Sequence, residues 1–161
     1  MYNKIAELVK AAEESGKPIS ELMLLQEMAK SHRTREDIWE QMRNNYHVMK
    51  AAVEKGLAGD GVFSPTGLTG GEAVKLRNYR QRGNTLSGDD LLIAVESAIA
   101  TNEVNASLGV ICASPTAGSS GTLPGVMFAI KDKLGLTDEQ MVQMLFCAGG
   151  CGVVIASNAM I

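Results

Sequence analysis

SGDDLLIAVESAIATNEVNASL, residues 87–108, is the stretch whose reading decides the fold. Asp89 and Asp90 stand where a first helical turn favours negative charge, and Ser87 is positioned to cap that turn. Leu, Ile, Ala and Val then run on without the alternation of a half-buried strand, so a helix is predicted. The same reading extends in both directions. Upstream, Ile5, Leu8, Val9 and Ala12 repeat at helical spacing within 2–14. Pro18 interrupts, and Ser20 is positioned to cap a second helix, SELMLLQEMAK. Thr34 with Asp37 three residues on resembles a capping box. It opens a long helix in which Ile38, Met42, Tyr46, Met49 and Val53 form one stripe, ending near Gly56. After a Gly- and Asp-rich loop, GGEAVKLRNYRQRG (70–83) gives a short basic helix. Downstream, PGVMFAIKDKL (124–134) carries Pro124 at a tolerated first-turn position. Thr137 with Gln140 makes a further capping box for a helix that reaches the end of the chain. The expected fold is all-α: one helical domain over 1–161, with Gly/Ser/Thr-rich loops at helix N-termini and no substantial sheet.

Composition sets the outer bounds. The chain has 161 residues, enough for one domain with its own core. It is 45% hydrophobic but only 4% aromatic, with nine methionines, so its core is built from small and flexible aliphatic side chains. A net charge of −3 and a pI near 5.4 argue against nucleic acid or an anionic membrane as partner. MYNKIAELVKAAEESGK at the N-terminus is charged and amphipathic, unlike a signal peptide. The weakly charged run QMVQMLFCAGGCGVVIASNAMI (140–161) is about membrane length, yet it holds three glycines and two glutamines and is read as a buried helix of a soluble protein. Cys112, Cys147 and Cys151 are odd in number and lie in apolar surroundings, which fits a reducing cytosol and a cytoplasmic location. No internal repeat is present. The apolar ending, with no capping glycine and no polar tail, is expected to be cut short or covered by a partner or a second copy of the chain.

Chemistry is concentrated in two loops. ICASPTAGSSGTLPGV (111–126) packs three glycines, two prolines and five Ser/Thr between apolar segments. A Gly-rich loop leading into a helix N-terminus is a general anion site, because free N–H groups and the helix dipole converge there. No Gly-Lys-Ser/Thr follows, so it is no P-loop, and Gly118-Ser119-Ser120-Gly121 misses the spacing of a nucleophile elbow. FSPTGLTGGEAVKL (63–76) is a second such loop, with Thr69, Gly70 and Gly71 at a helix start and Lys75 one turn in. The loops share Ser-Pro-Thr, which suggests one carboxylate- or phosphate-binding site made from both; ordinary turn chemistry is the plain alternative. Cys147 and Cys151 fall on one helix face, but two thiols alone are a weak metal signal, and packing explains them as well. Asn102, Glu103 and Asn105, late in the apolar helix, either face the pocket or end the helix. KLRNYRQRG (75–83), with four basic residues, is read as a solvated face, a partner subunit being the sharper alternative.

These segments together resemble the α subunit of the iron–sulfur-dependent L-serine dehydratases of the two-subunit bacterial kind. The resemblance runs through LMLLQEMAKSHRTREDIWEQM, VMKAAVEKGL, SPTGLTGGEAVKL, LSGDDLLIAVESAIATNEVNASLGVICASPTAGSSGTLPGV and GVVIASNAMI. It implies a lyase that takes L-serine to pyruvate and ammonia, with one iron of a [4Fe–4S] cluster acting on the substrate hydroxyl and a β subunit completing the site. It implies substrate contacts at Thr116, Gly118, Ser119, Ser120 and Gly121, at Thr69, Gly70, Gly71 and Lys75, and at Asn158. None of the three cysteines matches the family's cluster motifs, so the cluster ligands are expected downstream of Ile161, and 1–161 is expected to be the N-terminal part of a subunit, inactive alone. Two alternatives stay open: a cysteine-desulfidase-type member of the same superfamily, and a non-catalytic helical module that holds a small anion or a partner.

Overall fold

Asp89 and Asp90 do begin a helix in the computed structural model, which describes residues 2–159. Ser87 does not cap it. Gly88 stands at the cap position with φ 77° and no side chain bonds the first turn, so the two aspartates alone meet its dipole. Seven helices form among the described residues, with no strand: α1 (Ile5–Ser15), α2 (Ile19–Ser31), α3 (Arg35–Ala58), α4 (Glu72–Gln81), α5 (Asp89–Ala106), α6 (Thr122–Leu134) and α7 (Asp138–Asn158). Ser20 lies inside α2, because Pro18, already extended, takes the cap position. Thr34 caps as its spacing predicts, its Oγ1 accepting the Asp37 N–H at 3.1 Å. α3 outlasts Gly56 by two residues.

The chain divides into two compact units. The first holds residues up to Tyr46 together with Asp138 onward. Its core is Leu8, Leu24, Ile38, Tyr46, Met141, Val142, Leu145, Phe146 and Val154. Trp39 stacks on Phe146 at 5.7 Å between ring centroids, and the buried Tyr46 donates its hydroxyl proton to Asp138 Oδ1 at 2.7 Å. The expected stripe of α1 is narrower than its spacing suggests: Leu8 is buried, while Ile5 and Val9 are about two-fifths exposed. α7 is likewise buried on one side only, with Ile155 63% exposed, rather than buried throughout. α7 is long and apolar enough to cross a membrane by length and composition. Its Gly150 lets Met23 of α2 pack directly on the helix: a Cβ there would lie 2.6 Å from Met23 Cγ.

The second unit, His47–Thr137, contains the loops. α5 is its axis and packs against both α4 and α6. Small residues set how closely these helices approach. Gly125 of α6 faces the backbone of α5, where an added Cβ would lie 2.5 Å from Ala94 O and 2.9 Å from Ala98 Cβ. Gly121 meets Ala98 O in the same way, and Gly56 of α3 meets Ala100. The core is Met49, Ala52, Val53, Val62, Ala73, Leu92, Ala100, Val104, Met127 and Ala129.

Candidate functional site

Both Ser-Pro-Thr loops are fastened to the last turns of α5. In the first, Ser64 N–H donates to Thr69 O at 2.9 Å, Gly67 N–H donates to Ser64 O at 2.9 Å, and Ser64 Oγ meets Thr66 Oγ1 at 3.2 Å. The chain then turns through Gly70 (φ 138°) and Gly71 (φ 86°) into α4. Gly70 has no room for a side chain, since a Cβ would lie 2.7 Å from Phe63 Cα and 2.8 Å from Val62 O. The first turn of α4 is held from α5: Glu103 Oε1 accepts the N–H of Glu72 at 2.5 Å and of Ala73 at 3.3 Å. Glu72 in turn curls back, its Oε2 accepting Gly70 N–H at 2.7 Å.

The second loop, two residues further along α5, is tied by Asn105 Nδ2, which donates to Ala117 O at 3.4 Å. Inside it, Thr116 Oγ1 and Ser119 Oγ meet at 3.0 Å, and Ser119 Oγ donates to Ser114 O at 3.0 Å. Ser120 is fully buried and donates to Ala117 O at 2.7 Å. Its hydroxyl therefore shapes the loop. Thr116 and Gly118 are exposed, Ser119 is half-buried and Gly121 is buried under α5. In the first loop Thr69 is exposed and Gly70 buried, while Lys75 reaches toward Glu72 at 4.0 Å from an exposed position. Asn158 belongs to the first unit; its amide donates to Asn3 O at 2.7 Å and Val154 O at 2.8 Å.

Two acid arrangements were not read from the sequence. Glu103 is 3% exposed and its Oε2 has no hydrogen-bond partner among the described residues. Burial pushes its carboxyl above the ordinary glutamate range, the neighbouring Glu72 adds to the rise, and the two backbone N–H groups offset part of it. Glu72 is held below that range, first by its hydrogen bond with Glu103 and then by the Gly70 N–H. The two shifts run in opposite directions, so of the pair Glu103 is the carboxyl that more readily holds a proton. Glu103 carries a signal, being a carboxylate late in an apolar helix, whereas Glu72 carries none. The second arrangement is Glu96, 2% exposed. Arg80 clasps it with Nε at 3.0 Å and Nη2 at 2.8 Å, which raises the guanidinium further above its ordinary value. Arg80 is therefore no part of a solvated basic face. Its signal was Glu96 itself, the one charge within LLIAVESAIA.

A cavity of about 390 Å³ in this unit is lined by Arg80, Glu96, Lys50, Lys131 and Phe128 among others and shares no residue with either loop. Among the described residues no three His, Cys, Asp or Glu side chains converge as a metal site. All three cysteines are free thiols. Burial pushes Cys112 up, and burial followed by Cys151 pushes Cys147 up. The described residues do not fit an iron–sulfur cluster.

Comparison with known proteins bears on what the loops serve. The chain is 53% identical over 161 residues to the probable L-serine dehydratase alpha chain of Bacillus subtilis (strain 168), covering all of this chain and 53% of the relative. It is 35% identical over 160 residues to the L-serine dehydratase alpha chain of Peptoniphilus asaccharolyticus, covering 99% of this chain and 54% of the relative. It is 27% identical over 165 residues to L-serine dehydratase 2 of Escherichia coli (strain K12), covering 99% of this chain and 36% of that protein. The chain spans about half the length of the two alpha chains it matches over its full extent. No solved structure matches it. The family model for the serine dehydratase alpha chain matches residues 14–161, and with both Ser-Pro-Thr loops inside that span the chain belongs to the serine dehydratase alpha chain family.

Proposed function

We propose that this chain is the part of an L-serine ammonia-lyase that binds and orients the substrate. The observation that carries the reading is the fastening of two Ser/Thr/Gly loops onto one helix, at Glu103 and at Asn105. An amino-acid carboxylate needs hydroxyl and backbone N–H donors held in place before it arrives. Thr69, Gly71 and Lys75 from one loop, with Thr116, Gly118 and Ser119 from the other, supply such groups on a frame shaped by the buried Gly70, Ser120 and Gly121. Lys75, exposed and on the first turn of α4, adds a positive charge for an anion entering from solvent. Holding the carboxylate leaves the β-hydroxyl and the α-proton free to face groups that remove water. The enamine left by that loss of water isomerises and takes up water again to give pyruvate and ammonia. The relatives' name, alpha chain, supports a second kind of chain as partner, and the three free thiols support a reducing, cytoplasmic setting.

The test is pyruvate formation from L-serine by the enzyme in its native assembly, with Ser119→Ala and Thr116→Val as probes. Each should raise KM several-fold, about one lost hydrogen bond's worth, with a smaller change in kcat. Wild-type KM in both variants takes the 111–126 loop out of the site. Sulfide release from L-cysteine with no turnover of L-serine would overturn the substrate.

A further inference from the structure

The N-terminus of α4 has the form of an anion site, yet the chain fills it with its own side chain. Glu103 Oε1 takes the N–H groups of Glu72 and Ala73, the donors that a bound anion would otherwise use. The contact joins residues 31 apart in sequence, so it ties the loop to α5 rather than finishing a local turn. Glu103 Oε2 is buried without a partner among the described residues, and Glu72, next to it, closes onto Gly70 N–H. Glu103, Glu72 and Gly70 form one chain of contacts that ends in the Thr69–Gly71 turn. Gly70 and Gly71 have positive φ and no side chain of their own to lock that turn. Packing of Gly70 on Phe63 and Val62 holds one side of it, and these hydrogen bonds hold the other.

We infer that Glu103 is a positioning residue: from α5 it holds Thr69–Gly71 in the shape that receives the substrate carboxylate, an inference that rests on the function proposed above. Oε1 is the working atom, accepting from the two backbone N–H groups. An amide keeps that role through its carbonyl oxygen, whereas alanine offers no acceptor. Aspartate is one methylene too short to reach the first turn of α4 from the same helix position.

The experiment uses the enzyme in its native assembly with L-serine as substrate. Glu103→Ala should raise KM roughly tenfold, the loss of two hydrogen bonds of ordinary strength, while kcat changes about twofold or less. Glu103→Gln should restore the wild-type KM. An unchanged KM in Glu103→Ala, or equal impairment in the Ala and Gln variants, overturns the inference. Should Glu103→Ala fail to fold, Glu103→Asp is expected to give the same rise in KM, and a wild-type KM there overturns it equally. Amide hydrogen exchange at Glu72 and Ala73 supplies a readout independent of turnover: faster in the Ala variant, unaltered in the Gln variant. If the wild-type enzyme leaves L-serine untouched, the proposed function falls by itself, and exchange at these two amides still decides whether Glu103 holds the loop.

Discussion

Replacing Gly125 by alanine is a one-methyl change whose sign depends on how closely α5 and α6 approach. In an exposed helix interior, Gly→Ala stabilises by about 1 kcal/mol through lost backbone entropy and better propensity. At Gly125 the new methyl would lie 2.5 Å from Ala94 O, 2.9 Å from Ala98 Cβ and 3.2 Å from Ala98 N. Carbon contacts are comfortable at about 3.5–4 Å, so α6 must withdraw by about 1 Å. Two of the three neighbours are backbone atoms and cannot turn aside. Separating two packed helices by that much loses about a quarter to a half of each contact energy along the seam, and overpacking of this kind costs about 1–3 kcal/mol. With the propensity gain offsetting part, the expected result is a net loss of about 1–2 kcal/mol. Gly149 and Gly152 of α7 are the controls, because a Cβ at either meets nothing within 4 Å. Alanine there should stabilise by about 0.5–1 kcal/mol. Urea unfolding followed by circular dichroism reads all three. With m near 2 kcal/mol/M, the Gly125→Ala midpoint should fall by about 0.5–1 M and the control midpoints rise. A Gly125→Ala midpoint at or above wild type would refute the close crossing.

Other consequences are as direct. Arg80→Ala leaves Glu96, 2% exposed, as a buried charge without its clasp, and should cost about 3–5 kcal/mol by urea titration; Arg80→Ala with Glu96→Leu should recover most of that loss, and failure to recover would show that Arg80 acts otherwise. The raised Glu103 carboxyl means that the folded chain keeps a proton which the unfolded chain has released. Stability therefore falls as pH rises from about 4.3, the ordinary glutamate value, through the raised one. Glu103→Gln should flatten that slope, and an identical slope in both proteins would refute a protonated Glu103. Ser120→Ala strips a buried donor from Ala117 O and should cost about 1 kcal/mol, read as a lowered midpoint; an unaltered midpoint would release Ser120 from its role in shaping the loop.

The helices were legible because their signals are local. Asp89 and Asp90 mark the start of α5, and Ile38, Tyr46, Met49 and Val53 lie on one side of α3 at the spacing that buried them. Caps were less legible. Ser20 and Ser87 are the right residue types, but Pro18 and Gly88, with backbone already set for a helix entry, stand at the cap positions. The two loops were visible as composition, and the glycines at 121 and 125 as loop residues. Their use as a crossing point needs Ala94 and Ala98, a pairing that only packing creates. The Glu72–Glu103 contact was out of reach for the same reason: each carboxylate reads as an ordinary helix residue until α4 is laid against α5. The exposed flank of α7 escaped notice because an apolar run carries no mark of which side is covered.

Trp39, stacked on Phe146, is the chain's single tryptophan. It lies wholly within the first unit. Indole emission therefore watches the melting of α2, α7 and the front of α3 and is blind to the loops, whereas ellipticity at 222 nm sums every helix. The molecule thus carries its own spectroscopic label on one side of the partition. Superimposable curves from the two signals would mark a single cooperative block, and separated curves would time the loop-bearing half without any added probe.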